Sequence, residues 1–209
     1  MTATPRRTQA ERREGTIAAI VDAAVAALGE VGYARTTTAE IARRAGVSQG
    51  GLFRHFESRL DVIFAAADAV RARQFDDFRE GLGALTQFDV AATVRLLRRA
   101  TRAPINAAWY ELLVAARTDA ELQARLAPLA DRYHREIIEM GRALPIAASM
   151  PPDELDTLVI GIVYMLDGEA LTASVHVDAR QEDARVEQVV RILAGEPAFE
   201  GESSAPRQA

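Results

Sequence analysis

The sequence predicts an all-α fold, an N-terminal three-helix domain containing a helix-turn-helix followed by a C-terminal helical bundle. Three observations predict it. Apolar residues recur at helical spacing nearly everywhere, and no stretch alternates with period two. Two short helices near residues 38–56 are separated by a tight glycine turn. Helix-capping residues stand where the apolar stripes begin.

Residues 1–14 carry Arg6, Arg7, Arg12 and Arg13 without an apolar stripe and read as a flexible Arg-rich arm. Ile17, Ile20, Val21, Ala24 and Leu28 follow the i, i+3, i+4, i+7, i+11 rule and predict a first helix stopped near Gly32. Thr37 followed by Glu40 is a capping box, in which each side chain satisfies an N–H group of the other residue. Ile41, Ala42 and Ala45 supply that second helix with an apolar face, and Gly46 suits the left-handed position that ends it. Ser48 then caps a helix expected over Gln49–Phe56. Ser58 caps a long fourth helix, with Val62, Ile63, Ala66, Ala67 and Val70 inward, ending around Gly81 and Gly83. Further helices are predicted at 88–101, 104–117, 119–144 (kinked at Pro128), 152–176 and 182–194. Residues 196–209, rich in Pro, Ser, Gly and Glu, have the composition of a disordered tail. The expected organisation is an arm over 1–14, a helix-turn-helix domain over 15–60, a helical bundle over 61–195 and a tail over 196–209.

Composition narrows the function classes. Cysteine is absent, which excludes disulfides, thiolate catalysis and Cys-based zinc sites. The N-terminus lacks the apolar stretch of a signal peptide, and the longest apolar run, Leu158–Leu166, is far short of the roughly 20 residues that span a bilayer. A soluble cytoplasmic protein without a membrane partner is expected. The net charge of −5 is unevenly divided. Residues 1–60 hold nine Arg against six acids, a net of +3, and the remainder carries −8. A basic head on an acidic body confines attraction for phosphates to the head.

The head carries a longer pattern. Gly32-Tyr33, Thr36-Thr37, Ile41-Ala42, Ala45-Gly46-Val47-Ser48, Gly50, Leu52-Phe53 and His55-Phe56 resemble the N-terminal domain of TetR-family regulators, without gaps over roughly residues 16–65. The resemblance implies a transcriptional regulator, not an enzyme, that binds a palindromic operator in double-stranded DNA as a homodimer. It further implies repression relieved when a small-molecule effector binds the C-terminal domain. The physics agrees, because a recognition helix places its N-terminal residues in a major groove about 12 Å wide. Gln49 and Arg54 are the long hydrogen-bonding side chains there. Gly50 admits close approach, and Thr37 at a helix N-terminus suits a phosphate. Phe53, His55 and Arg59 lie where the family makes further contacts. Phe53 stands where the family commonly has Tyr, which removes a hydroxyl. Arg59 stands where it usually has Lys, which keeps the charge. Arg43 and Arg44 read equally well as phosphate contacts and as solvated surface groups.

In the body, Leu158–Leu166 is apolar all round, and such a helix must be covered on every side. A chain of this size can bury one such helix alone, or a second subunit can cover one face. Its place beside the amphipathic helix at 182–194 favours a dimer interface, expected at Leu158, Ile162, Met165, Val186, Val190 and Leu193. Phe64, Trp109, Leu113, Tyr133, Tyr164 and Asp167 are the candidate walls of an effector pocket, and their mostly apolar character favours a hydrophobic ligand. No catalytic motif, P-loop or dinucleotide fingerprint is present. His55, His134 and His176 are scattered, and Asp131 with His134 reads as surface charge, so no metal and no cofactor are expected. A helical interaction protein that works through partners is the other reading of the same architecture.

Overall fold

A computed structural model of the chain describes residues 8–194, and these form nine α-helices with no strand among them. In chain order they are α1 (Gln9–Val31), α2 (Thr38–Ala45), α3 (Gln49–Leu52), α4 (Arg59–Gly83), α5 (Val90–Thr101), α6 (Asn106–Ala115), α7 (Ala120–Arg142), α8 (Pro152–Thr172) and α9 (Ala179–Leu193). Short 3-10 turns at Tyr33–Arg35 and Pro145–Ser149 complete the described chain. No helix among these residues is long and apolar enough to cross a membrane.

Local chemistry sets most boundaries. Thr8 accepts from the Glu11 N–H at 3.2 Å while its own N–H donates to the Glu11 carboxylate at 2.7 Å. That reciprocal box starts α1 at Gln9, so Gln9–Glu14, read from the sequence as arm, are helical and exposed. The tail expected over 196–209 and residues 1–7 lie outside the described residues. At Thr37 only half of the expected box forms. The hydroxyl caps the Glu40 N–H at 3.2 Å, but the Glu40 carboxylate turns to Arg43 and Arg44. Gly46 closes α2 in the left-handed region at φ 69°. Ser48 caps α3 as expected, yet the helix ends at Leu52 rather than Phe56. Two consecutive glycines in four residues weaken it, each by about 1 kcal/mol relative to Ala.

The chain divides into two compact units. The first takes in the described chain up to Arg79 together with Arg102–Glu136. Its core joins Ile20, Ala24 and Leu28 of α1 to Ile41 of α2, Leu52 of α3, Val62 and Ile63 of α4, Leu112 of α6 and Leu122 and Leu129 of α7. The helix-turn-helix therefore shares one continuous apolar core with α4, α6 and α7.

The second unit takes in Glu80–Thr101 and the described chain from Ile137 onward. Val94 of α5, Ile162 and Leu166 of α8, and Val186 and Val189 of α9 form its core, with Leu158, Met165 and Leu193 packed against them. This corrects two expected interface residues. Ile162 and Val186 are covered inside a single chain, because the stripe Val90, Val94 and Leu97 of α5 lies on them. Val190 is half-buried. The open face of α8 is instead Thr157, Gly161, Tyr164, Gly168 and Leu171.

A buried ion network ties these three helices together. Arg98 of α5 donates to Asp183 at 2.9 Å and to Glu182, both of α9, and lies 3.5 Å from Glu169 of α8. Arg185 of α9 donates to the other oxygen of Glu169. Burial opposes the Arg98 charge, but the hydrogen bonds to Asp183 and Glu182 outweigh it and raise its pKa. Glu169 and Glu182 are only 6% and 3% exposed, so neither tolerates the loss of its cation. Arg98→Met is expected to destabilise the protein by about 3 kcal/mol, a large share of a typical domain's stability. Denaturant unfolding of wild type and variant measures the difference.

Candidate nucleic-acid interface

The head presents its polar residues through a rigid frame. Thr37 is exposed at the start of α2, and its hydroxyl is engaged as the cap. Gln49, the first residue of α3, is exposed, as are Gly50 and Arg54. Leu52 is fully buried and fixes α3 to the core, with Val47 and Phe56 packed beside it. A Cβ on Gly50 would come no nearer than 4.0 Å to the Ser48 hydroxyl, so internal packing does not demand glycine there. Phe53 is 49% exposed. His55 is half-buried.

Arg59 is placed differently from the expectation. Its guanidinium turns inward, donating Nε to the Thr36 carbonyl at 2.8 Å and an Nη to the Tyr33 carbonyl. It also stacks over the Tyr33 ring, 4.2 Å from the centroid. These acceptors are backbone oxygens of the turn that leads into α2, so Arg59 positions the head rather than facing outward.

Tyr33 is the centre of that turn. Its N–H donates to Glu111 of α6 at 2.7 Å, and its hydroxyl donates to Asp119 at 2.9 Å. Asp119 also caps α7 through the Leu122 N–H at 2.9 Å. These two donors, Leu122 first, hold the Asp119 carboxyl below the usual carboxylate range, while burial and the bond to Asp119 push the Tyr33 phenol up. Gly32 precedes it at φ 82°, and a Cβ there would sit 2.9 Å from a Glu111 carboxylate oxygen. The angle demands glycine, and a side chain there would also displace the Glu111 carboxylate. Nothing local in the sequence announces Glu111 or Asp119, which lie 78 and 86 residues from Tyr33.

On α2, Glu40 accepts from Arg43 at 2.8 and 3.0 Å and from Arg44 at 2.7 Å, and Arg44 also bonds Glu30 at 2.6 Å. The Arg43 and Arg44 hydrogen bonds lower the Glu40 pKa from 4.5 to about 2.

The candidate pocket residues separate. Phe64, Trp109 and Tyr133 come together in the core of the first unit. There Tyr133 lies 5.4 Å from Trp109 and 5.5 Å from Phe75, which the sequence reading missed. Leu113 is exposed although it stands one turn from buried Trp109. Tyr164 and Asp167 belong to the second unit, Tyr164 exposed and Asp167 half-buried. The buried acid of α8 is Glu169. Among the described residues no three His, Cys, Asp or Glu side chains are grouped to hold a metal.

A short glycine-turned helix pair on a shared core, with polar side chains exposed on the second helix, defines a helix-turn-helix protein. Its relatives place it further. The model for bacterial regulatory proteins of the tetR family matches residues 20–66. An uncharacterised HTH-type transcriptional regulator of Mycobacterium tuberculosis is 38% identical over 189 residues, covering 90% of this chain and 97% of that protein. The chain belongs to the TetR family of DNA-binding transcriptional regulators. The fold agrees with a TetR-family transcriptional regulator from Rhodococcus sp., 18% identical with TM-score 0.66, covering 85% of this chain and 98% of that one. It agrees too with a transcriptional regulator of Saccharomonospora viridis solved in complex with choline. That chain is 17% identical with TM-score 0.61, and the match covers 90% of this chain and 95% of the other.

The Glu40 geometry sets a pH dependence. A carboxyl depressed on folding contributes stability that is complete above its unfolded value near 4.5 and is lost as pH falls toward about 2. Thermal midpoints are expected to fall across that window, and to fall less steeply in Glu40→Gln.

Proposed function

We propose that the protein is a homodimeric repressor that binds a palindromic operator through residues 15–60 and releases it when a small ligand binds within residues 61–195. One observation carries the reading. Gln49 and Arg54 stand exposed on and beside α3 while buried Leu52 anchors that helix to the core, so two side chains able to read base edges are displayed on a helix fixed to the core. Thr37, Gly50, Phe53 and His55 surround them as backbone contacts, and the net +3 of the first 60 residues favours phosphate. Arg59 supports the interface from behind.

Dimerisation is assigned to the open face of α8, from Thr157 through Gly161, Tyr164 and Gly168 to Leu171, with Leu158, Met165, Val190 and Leu193 at its edge. An open cleft of about 620 Å³ lies here, lined by Leu158, Gly161, Ile162 and Val189. Small residues in the stripe allow a partner helix to approach. The ligand is assigned to the aromatic core around Phe64, Phe75, Trp109 and Tyr133, which suits an apolar molecule or an organic cation. The choline complex of the Saccharomonospora viridis regulator supports a small organic cation as a ligand of this fold. The protein acts in the cytoplasm, where its operator is.

Binding to the intergenic DNA upstream of its own gene, at two salt concentrations, tests the reading. Wild type is expected to bind specifically and more weakly at high salt. Gln49→Ala and Arg54→Ala are each expected to weaken specific binding by about 1–3 kcal/mol while leaving non-specific affinity nearly unchanged. Equal loss on specific and random DNA would contradict the assignment of these two residues.

A further inference from the structure

Arg43 and Arg44 are neighbours on α2 with opposite situations. The Arg44 side chain is 18% exposed and is held between Glu40 and Glu30. The Arg43 side chain is 68% exposed, and it grips Glu40 bidentately through one guanidinium edge, Nε and Nη2. The Glu40 oxygens are shared unequally. Oε1 accepts from both arginines, and Oε2 accepts from Arg43 alone. If Arg43 leaves, Glu40 retains Arg44, so no uncompensated carboxylate results.

Direction matters as much as exposure. A helical side chain leans toward the N-terminus of its helix. The contact with Glu40, three residues earlier, shows Arg43 doing so. Its guanidinium thus lies toward the Thr37 end of α2, beside exposed Ala39, whose methyl group leaves the approach open. In a helix-turn-helix the first helix crosses the DNA backbone. An exposed guanidinium at that end meets phosphates, and a phosphate binds its planar fork as a carboxylate does.

We propose that Arg43 is a phosphate-binding residue that Glu40 holds in the free protein, exchanging this carboxylate for a phosphate oxygen when the head docks on DNA. Glu40 therefore acts as an internal competitor that sets operator affinity below its maximum, and Arg44 keeps Glu40 paired after the exchange. The inference rests on the DNA-binding reading above and adds to it a contact and a tuning residue.

The test is a mutant cycle on the full-length protein, with binding to a random-sequence duplex and to the upstream intergenic fragment followed across a salt titration. Arg43→Ala is expected to reduce the salt slope by about 0.9 per bound subunit on both DNAs, since a phosphate contact carries no sequence information. Glu40→Gln is expected to tighten binding roughly 2- to 5-fold, the range in which an exposed ion pair competes. In the Arg43→Ala background that tightening is expected to vanish. Circular dichroism and thermal midpoints near pH 7 identify any variant that misfolds, and Arg43→Lys, which keeps the charge, restores the slope. An unchanged slope in Arg43→Ala overturns the proposal. So does tightening by Glu40→Gln that persists without Arg43, which would mark a general charge effect. Failure of wild type to bind either DNA removes the DNA-binding reading itself, and the proposal with it.

Discussion

Tyr33 is gripped by three elements, and the start of the helix-turn-helix follows from where they hold it. Arg59 at the head of α4 binds the carbonyls of Tyr33 and Thr36 and covers the ring. Glu111 of α6 takes the Tyr33 N–H, and Asp119, the cap of α7, takes the hydroxyl. Thr36 is fully buried and directly precedes Thr37, the N-cap of α2. The hold thus fixes the N-cap of α2, and the Gly46 turn and buried Leu52 then fix α3. The head is a continuation of the scaffold's hydrogen bonding and core.

That continuity gives physical content to the proposed ligand response. A ligand shifts a conformational equilibrium only by its differential affinity for the two states. Here α6 and α7 bear both the Tyr33 contacts and, at Trp109 and Tyr133, the aromatic core. A molecule that repacks those rings acts on helices already bonded to the turn that starts α2. The same continuity explains why Arg59 serves the interior. With two backbone carbonyls and an aromatic face as partners, it stabilises the frame on which Gln49 and Arg54 are displayed.

Local features were legible in the sequence because their chemistry spans three or four residues. The caps at Thr37, Ser48 and Ser58, the left-handed Gly46 and the inward stripe of α4 all fall where the residue types demand. The second half of the Thr37 box was not legible, because Arg43 and Arg44 compete for the Glu40 carboxylate. The helical start at Gln9 was obscured by an exposed segment that needs no apolar stripe once Thr8 and Glu11 cap it. Long-range pairs left no local trace. Tyr33 stood out only as part of a family pattern, and neither Glu111 nor Asp119 differs in context from a solvated acid. For α8 and α9, periodicity marks the apolar surface but not its cover, so Ile162 and Val186 read as partner contacts although α5 packs on them. Of the side chains expected to contact DNA, Thr37, Gln49, Phe53 and Arg54 are exposed and His55 is half-buried, while Arg59 turns inward, because a guanidinium's preferred partner depends on carbonyls that only the folded turn presents.

Selection of bound fragments from the sheared genome that encodes the protein tests the central claim most directly. Full-length wild type is expected to enrich a short inverted repeat whose half-sites are read in the major groove, and the Gln49→Ala, Arg54→Ala double variant is expected to lose that enrichment. Recovery of fragments with no common motif, or the same motif from wild type and double variant, would contradict a sequence-reading head built on α3.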